Sequence, residues 1–358
     1  MHGAAGKGAV TPALPRSSNE RVNWVSSIPF LAFHLVPLFA FVTGVTTKAL
    51  VIFAVLYAAR MFAITAGYHR YFAHRTYRTS RPMQAVLAFA GTTAAQKGPL
   101  WWAGHHRAHH RYSDTDRDIH SPQKGFWWSH VGWFLSDKYS ATDVAAVPDL
   151  AKYPELVWLD KYNAIGPWLL AIAAFLVGGW NGLVVGFFGS TVLLWHATFT
   201  VNSLNHVWGT RRYATSDTSR NNLALALLTC GEGWHNNHHH YQASARQGFC
   251  WWEIDASWYG LQALQGLHLI HDLKQPSAAV KAGGWLRDGS FDLGMFRASW
   301  AKASAAVAAS GAAASGALDA KRAALHDVVE ASMNAAEDLT RAARTAARAD
   351  ERPVLSKP

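Results

Sequence analysis

The sequence predicts an all-α integral membrane protein with four transmembrane helices in two hairpins and a cytoplasmic helical lobe that carries a histidine-rich site. Three observations support this fold class. Four apolar runs lie between residues 24 and 202, histidine clusters follow the second and the fourth run, and basic residues concentrate on one side of the runs. About 20 apolar residues in a helix are enough to cross a bilayer.

Composition divides the 358 residues into three parts. Residues 1–23 contain Gly, Ala and Pro without an apolar stretch, so we expect a flexible segment that is not a cleavable signal peptide. Residues 24–275 hold the apolar runs and the histidine clusters. Residues 276–358 are rich in Ala, which has the highest helix propensity. We expect a linker and a helical or partly disordered tail there, with no catalytic role.

The predicted spans cover about 24–42, 50–66, 166–180 and 183–201. A buried core helix is the alternative for each span, above all for the short third one. Lys and Arg lie mainly before the first span, between the hairpins and after the last span, and Lys48 is the exception at a hairpin tip. Cytoplasmic segments carry the excess of Lys and Arg. We therefore expect a multi-pass protein with both termini and all histidine clusters in the cytoplasm.

The net charge of +10 fits a nucleic acid, an anionic lipid or an anionic substrate as the partner. The apolar spans favour the last two, so we expect membrane lipid and no nucleic acid. Cys230 and Cys250 have no metal-binding or disulfide spacing and are predicted to be free thiols.

Eight histidines form three clusters with repeated spacing. Residues three and four apart share one helix face, and buried imidazoles need polar partners. A metal satisfies them together, and imidazole binds iron, zinc and copper. Zinc usually takes three or four protein ligands, whereas eight imidazoles suit two iron ions that react with O₂. A lone histidine, in contrast, is more often structural. The eight clustered histidines are His69, His74, His106, His109, His110, His235, His238 and His239.

Three basic side chains, one arginine and two histidines, lie inside the predicted spans. Arg60 is interpreted as a side chain that snorkels from near the end of its span, and a partner for a buried acid or a substrate group is the alternative. His34 and His196 have no ligand spacing, so we predict that they make hydrogen bonds between helices.

The three clusters together resemble the histidine boxes of membrane fatty acyl desaturases. The flanks at 67–70, 125–133 and 231–235 resemble those of the Δ9, stearoyl-CoA desaturase-like branch, and the resemblance covers about residues 24–275. It implies an enzyme that uses O₂ and two electrons to introduce a cis double bond into a saturated long-chain acyl group. It also implies a di-iron centre as cofactor, with no catalytic side chain beyond that centre.

The resemblance further implies which residues act at the site. One iron would be bound by His69, His74, His106, His110 and His238. The other would be bound by His109, His206, His235 and His239, with Asn202 acting through a water. Gln96, Trp102 and Thr198 match positions that shape the bend of a substrate tunnel, and ordinary packing is the alternative. Nearby acids are expected to orient the imidazoles or to remain solvated; they are Asp114, Asp116 and Glu232.

The carrier of the acyl group stays open in the sequence. Animal acyl-CoA enzymes of this family have Arg-Asp where this chain has Gly104 and His105, so a phospholipid-bound acyl chain is an alternative to acyl-CoA. No haem-binding or ferredoxin-type pattern is present, and we expect a separate electron-transfer protein. Its candidate docking residues are Arg75, Arg78, Arg81, Arg107 and Arg111.

Two other functions compete with desaturation. A membrane di-iron fatty acid hydroxylase or ketolase shares an oxidant that can break a C–H bond. A histidine-rich metal transporter or sensor would need polar or charged residues along several spans, and these spans contain few.

Overall fold

The computed structural model describes residues 19–288 and a set of positions between 308 and 330. The chain forms two compact units, residues 1–299 and 300–358. In the second unit the described positions are helical. The expected flexible segment 1–23 falls mostly outside the described residues. Its last part is ordered, because the buried Glu20 carboxylate binds the ammonium groups of Lys124 at 2.9 Å and Lys138 at 3.1 Å.

The first unit is mainly helical, as predicted. Its α-helices are α1 Ile28–Leu35, α2 Ala40–Thr43, α3 Thr47–Phe62, α4 Arg81–Thr92, α5 Pro99–Tyr112, α6 Pro148–Ala151, α7 Pro154–Lys161, α8 Ile165–Asn181, α9 Ser190–Asn202, α10 Leu223–Leu228, α11 His235–His240, α12 Ala256–Gly266 and α13 Ala278–Ala282. The wider π-helical segments are Ala63–Ala73, Trp128–Gly132 and Gly182–Gly189. The tighter 3₁₀ segments are Val36–Phe39, Pro122–Lys124, Asp137–Tyr139, Val144–Ala146 and Leu204–His206. The strands are β1 Arg78–Thr79, β2 Arg211–Tyr213, β3 Ile270–His271 and β4 Trp285–Asp288.

Two continuous helical stretches of the described chain are long and apolar enough to cross a membrane, Thr47–Ala73 and Ile165–His206. Ile28–Thr43 is apolar but shorter. It changes from α to 3₁₀ geometry around Pro37, because proline has no N–H to continue the helical hydrogen bonds. By length and composition alone, the described part of the chain therefore has two candidate membrane helices, and the four spans expected from the sequence are not confirmed.

The second of these stretches folds back on itself. Gly179 has φ 60° and ψ −152°, a conformation that favours glycine. Three residues later, a Cβ on Gly182 would overlap the carbonyl oxygen of Ala174. The chain after Gly179 consequently packs against α8 instead of extending it. Side chains on the outside of these helices are exposed and apolar, for example Leu176 at 77 % exposure, which suits contact with lipid.

The polar side chains inside the helices have specific partners. Arg60 is buried, and its guanidinium donates to Thr191 Oγ1 at 2.6 Å and to Ser190 Oγ at 2.5 Å. The prediction that Arg60 snorkels is wrong, because hydroxyl groups of α9 satisfy the guanidinium inside the protein. The prediction that His34 and His196 make hydrogen bonds between helices is confirmed, and the structure shows that they bind each other, with their Nε2 atoms 2.9 Å apart.

Two short antiparallel sheets attach the last part of the first unit to its helices. In one sheet β1 pairs with β3, and Arg78 lies opposite His271. In the other, β2 pairs with β4 and Arg211 lies opposite Asp288. These pairings hold the chain after α12 against the segment that follows the first histidine cluster and against β2, whose Arg212 and Tyr213 amides donate to Asn236 Oδ1 of α11.

Candidate metal centre

Helix ends bring the histidine clusters together. His69 and His74 lie at the end of the long helix Thr47–Ala73, where the backbone widens into π-helical turns. The second cluster lies in the last turns of α5, and Asp160 Oδ1 accepts hydrogen bonds from the amides of Leu100 and Trp101 at the other end of this helix. These bonds satisfy orphan N–H groups and fix the start of α5. The third cluster forms α11.

Nine histidines form two adjacent groups. Group 1 consists of His69, His74, His106, His110 and His238. Group 2 consists of His109, His206, His235 and His239. In each group one ring nitrogen of every member lies within 4.8 Å of the others. This division is the same as the one implied by the resemblance.

The nitrogen positions in group 1 fit a metal ion. The Nε2 atoms of His74 and His106 are 2.8 Å apart, those of His106 and His110 are 2.9 Å apart, and those of His69 and His238 are 3.0 Å apart. Two nitrogen ligands at right angles around an ion, each 2.0–2.1 Å from it, would be roughly 2.9 Å apart. Five imidazoles cannot satisfy one another at these distances, since each neutral ring has one N–H.

Group 2 has buried nitrogens that need a partner. The Nε2 atoms of His109 and His239 are buried and make no hydrogen bond in the described structure. His206 Nε2 and His235 Nε2 lie 3.2 Å apart. An unsatisfied buried polar atom costs about 1–3 kcal/mol, and a cation between the four rings would remove this cost. The donor set therefore fits a second ion.

Carboxylates contact the opposite nitrogen of four rings. His109 Nδ1 lies 3.0 Å from Asp118, His206 Nδ1 lies 3.3 Å from Asp114, and His239 Nδ1 lies 2.6 Å from Asp217. His69 Nδ1 is likewise 2.6 Å from Glu232 Oε2. A carboxylate on Nδ1 fixes the tautomer, so that Nε2 is free to bind a metal.

The sequence identified only part of this set of carboxylates. Asp114 and Glu232 contact ligand candidates, whereas Asp116 is exposed and has no such contact among the described residues. Asp118 and Asp217 were missed. Asp217 lies 22 residues before His239, a separation for which local spacing gives no signal.

Burial keeps several of the candidate ligands neutral. The pKa of four imidazoles lies well below its ordinary value. Desolvation is the largest cause, and the charges of neighbouring imidazoles add to it. The four are His106, His110, His235 and His238. A neutral imidazole has a free lone pair, which is the form that binds a metal.

A buried ion-pair network supports group 1 from behind. Arg70 is fully buried and donates to Glu232 Oε1 at 3.0 Å, to Asp255 Oδ2 at 3.1 Å and to the carbonyl of Ala245 at 2.8 Å. Burial opposes ionisation of Glu232, but His69 and Arg70 bring the pKa of its carboxyl below the ordinary value. The network therefore holds the carboxylate that contacts His69.

A cavity of about 520 Å³ adjoins group 1 through His106. His106 and Asn202 line it, and so do the three residues predicted to shape a tunnel, Gln96, Trp102 and Thr198. The Trp102 ring stacks on His106 with centroids 4.8 Å apart, and Gln96 Nε2 donates to Thr198 Oγ1 at 2.9 Å. Much of the remaining wall is apolar or aromatic; it includes Phe30, Phe33, Phe134, Phe187, Trp195 and Phe199.

Another histidine lies beside the site without having been predicted. His120 is buried, lines the cavity, and has its ring centroid 4.2 Å from that of His109. With His109 and Asp118 it forms a third set of close ligand atoms. His120 is outside the repeated spacing of the three boxes, so the pattern did not reveal it.

The two histidines next to the boxes have other partners. His105 Nδ1 donates to the carbonyl of Trp101 at 2.8 Å. His240 Nε2 is 2.9 Å from the carbonyl of Val280, and its ring stacks on Tyr213 with centroids 4.0 Å apart. Neither belongs to group 1 or group 2.

The basic residues considered for docking an electron donor are mostly paired. Arg75 and Arg107 both bind Asp149, Arg81 binds Glu155, and Arg78 lies 3.5 Å from Asp272. Arg111 is exposed and has no ion pair among the described residues. Their acidic partners reduce the positive field that these arginines offer to an acidic protein.

Comparison with known proteins adds a family assignment. The family model described as fatty acid desaturase matches residues 46–273. The chain is 41 % identical over 261 residues to the sn-1 stearoyl-lipid 9-desaturase of Anabaena variabilis. The matched region covers 72 % of this chain and 96 % of that relative. It is 37 % identical over 269 residues to the sn-2 palmitoyl-lipid 9-desaturase of Nostoc sp. (strain 36), covering 73 % and 93 %. It is also 38 % identical over 278 residues to the acyl-CoA C20 Delta5-desaturase of Anemone leveillei, covering 74 % and 89 %.

Proposed function

The chain belongs to the fatty acid desaturase family, and we propose that it introduces a cis double bond at the Δ9 position of a saturated acyl chain carried by a membrane glycerolipid. The enzyme is an oxidoreductase that desaturates fatty acyl groups with O₂. The observation that carries the proposal is the pair of imidazole groups beside a largely apolar cavity.

We propose that each histidine group binds one iron ion. Group 1 would supply five imidazoles and group 2 four, and Asn202, at the edge of the cavity, would complete group 2 through a water. When bound, the two irons would supply the O₂-dependent oxidation that removes two hydrogens from the acyl chain. The protein's own part is to hold the imidazoles neutral through burial and to orient them with Asp114, Asp118, Asp217 and Glu232.

The cavity would hold the acyl chain in one conformation. The hydrogen bond between Gln96 and Thr198 joins two residues that line the cavity. Trp102, a third lining residue, stacks on the ring of His106. A saturated chain has no polar group to direct it, so only the shape of the wall decides which methylene groups approach the metal centre. Holding reacting atoms in position is a large part of the catalytic rate.

The surface around Gly104 supports a glycerolipid carrier over acyl-CoA. A Cβ at Gly104 would lie 3.7 Å from both the Asp143 carbonyl oxygen and Val147 Cγ1. Because Gly104 is buried, a long side chain such as arginine would have to displace the segment 143–147. Two of the relatives above are named as lipid desaturases, which agrees with this carrier, while the Anemone relative is named for an acyl-CoA.

We further propose four membrane-crossing segments in two hairpins, with both termini and the metal centre in the cytoplasm. Ile28–Thr43 and Thr47–Ala73 would form the first hairpin, and the two arms on either side of Gly179 would form the second. The charge distribution supports the orientation, since Lys48, in the first turn of its helix, is the single basic residue near the two hairpin tips. Electrons would come from a separate electron-transfer protein.

Expression in a host without Δ9 desaturation tests the proposed function. Total fatty acids would be analysed by mass spectrometry with localisation of the double bond, and a short pulse of labelled stearate would show whether labelled product appears first in glycerolipids or in acyl-CoA. We expect Δ9 monoenes that appear first in glycerolipids. His106→Ala should form none, and His271→Ala, which changes an exposed histidine outside the site, should match the parent. Hydroxylated or oxo acids in place of monoenes would refute desaturation, and labelled product in acyl-CoA first would refute the carrier.

A further inference from the structure

Three histidines form a hydrogen-bonded chain outside the metal centre. His34 Nε2 is 2.9 Å from His196 Nε2, and His196 Nδ1 is 3.0 Å from His130 Nε2. The chain ends at Ser203, whose Oγ is 2.9 Å from His130 Nδ1. The three rings come from α1, α9 and the π-helical turn Trp128–Gly132, and none belongs to group 1 or group 2.

The direction of each hydrogen bond in this chain follows from one carbonyl. His34 Nδ1 lies 2.7 Å from the carbonyl oxygen of Phe30, which can only accept, so Nδ1 carries the hydrogen. The Nε2 atom of a neutral His34 then accepts from His196 Nε2, and His196 Nδ1 accepts from His130 Nε2. Burial, with a smaller effect of His196, lowers the pKa of His130 to about 4, which keeps this ring neutral. His196 must therefore donate on one side and accept on the other.

The elements that the chain joins are walls of the cavity. Phe30 of α1 stacks on Trp195 of α9 with centroids 5.3 Å apart. Phe134, which follows the π-helical turn, packs on Phe199 of α9 with centroids 4.9 Å apart. All four aromatic rings line the cavity. The histidine chain thus lies among the aromatic residues of one wall and connects the three segments that form it.

The same helix carries a second attachment on its other side. Thr198 lies two residues after His196 and accepts the hydrogen bond from Gln96. Two residues in an α-helix are separated by about 200° of rotation, so His196 and Thr198 leave α9 in nearly opposite directions. The histidine chain and the Gln96–Thr198 bond together fix the rotation of α9 about its axis, and with it the shape of the cavity wall.

We propose that the chain His34–His196–His130 is a positioning device that determines which carbon atoms of the acyl chain lie beside the metal centre. This role rests on one part of the proposed function, which is that the cavity holds an acyl chain. Successive methylene groups are chemically alike, so a small rotation of α9 is enough to present a neighbouring pair. Displacement of a reacting group by about 1 Å can change its rate on the order of a hundredfold.

Two substitutions of His196 separate this role from simple packing. The amide of His196→Gln can donate with Nε2 and accept with Oε1, as the native ring does, whereas His196→Phe keeps an aromatic ring without hydrogen bonds. The measured quantity is the ratio of the main double-bond isomer to its neighbours in total fatty acids. We expect this ratio to fall about tenfold for His196→Phe, as the loss of buried hydrogen bonds predicts, and to stay within about twofold of the parent for His196→Gln. Because the ratio is taken within one sample, loss of folded enzyme lowers all isomers alike.

A variant on another helix keeps the test decisive if His196→Phe does not accumulate. His34→Phe removes the first bond of the chain from α1 and should shift the isomer ratio in the same direction. Leu193→Phe, on an exposed position of α9, should leave the ratio unchanged, and the iron content of all variants should equal that of the parent. Lower yields from His196→Phe and His34→Phe with an unaltered isomer ratio would overturn the proposal. A parent enzyme whose main product is not Δ9 would refute the proposed position of the double bond. The change in isomer ratio would still test the positioning role, because each variant is compared with the main isomer of the parent enzyme.

Discussion

His239 Nδ1 lies 2.6 Å from Asp217 Oδ2, and both side chains are buried. The carboxylate accepts the Nδ1 hydrogen, so that His239 Nε2, which has no other partner among the described residues, faces the middle of group 2. Asp217 thus determines how a candidate metal ligand is presented, although it does not belong to a histidine box.

Loss of the Asp217 carboxylate should weaken metal binding in group 2. Asp217→Asn removes the negative charge while keeping the size of the side chain, and changes of this kind cost about 10–100-fold in metal affinity. Iron retained by the purified enzyme at increasing chelator concentration would measure the effect. Asp116→Asn is the matched control because Asp116 is exposed. Equal iron retention in the two variants would contradict the role of Asp217.

The division into two groups predicts a stepwise loss of iron. The parent enzyme should contain about two iron ions per chain, and His206→Ala should contain about one, because the five imidazoles of group 1 do not include His206. Metal analysis by mass spectrometry on protein purified in mild detergent would give both values. A His206→Ala enzyme that retains two irons, or loses both, would show that the groups are not independent sites.

Removal of Arg70 should destabilise the fold more than removal of a surface arginine. Arg70→Met leaves Glu232 and Asp255 buried without their cation, and breaking a buried ion pair costs about 3–5 kcal/mol. Arg81→Met breaks an exposed pair with Glu155 and should change stability little. Thermal unfolding of the purified variants would compare them. Similar midpoints for both would mean that the Arg70 network contributes little to stability.

The contact around Gly104 predicts different effects for a small and a large side chain. Gly104→Ala should fold like the parent, because its Cβ would make ordinary contacts at 3.7 Å. Gly104→Arg should lose about 1–3 kcal/mol of stability, since the longer side chain displaces the segment 143–147. Thermal unfolding would measure this difference. An arginine variant as stable as the parent would remove the steric argument against an acyl-CoA carrier.

The bond between Gln96 and Thr198 should affect the product more than the fold. Thr198→Val keeps the shape of the threonine and removes the hydroxyl that accepts from Gln96, at an expected loss of about 1 kcal/mol in stability. We expect a lower rate and a wider distribution of double-bond positions, measured by mass spectrometry of total fatty acids. Thr200→Val is the control on the same helix, because the Thr200 hydroxyl bonds within the described residues only to the helix carbonyl of Ala197. A product distribution in Thr198→Val that matches this control would contradict a positioning role for the bond.

The sequence alone was sufficient for the features that repeat along the chain. Apolar runs predicted a helical membrane protein, because helix formation and burial in lipid depend on local composition. The spacing in His106–His110 and His235–His239 predicted metal ligands for a similar reason, since one turn of helix places these rings on one face. The assignment of each histidine to one of two irons came from the resemblance to a family rather than from spacing, and occupancy by iron remains a prediction.

Tertiary structure decided the contacts between residues that are distant in sequence. Asp217 reaches His239, Ser190 and Thr191 of α9 reach Arg60, and His34 reaches His196 across 162 positions. No local pattern encodes these pairings, because each buried polar group takes its partner from whichever segment the packing of the helices brings within hydrogen-bond distance.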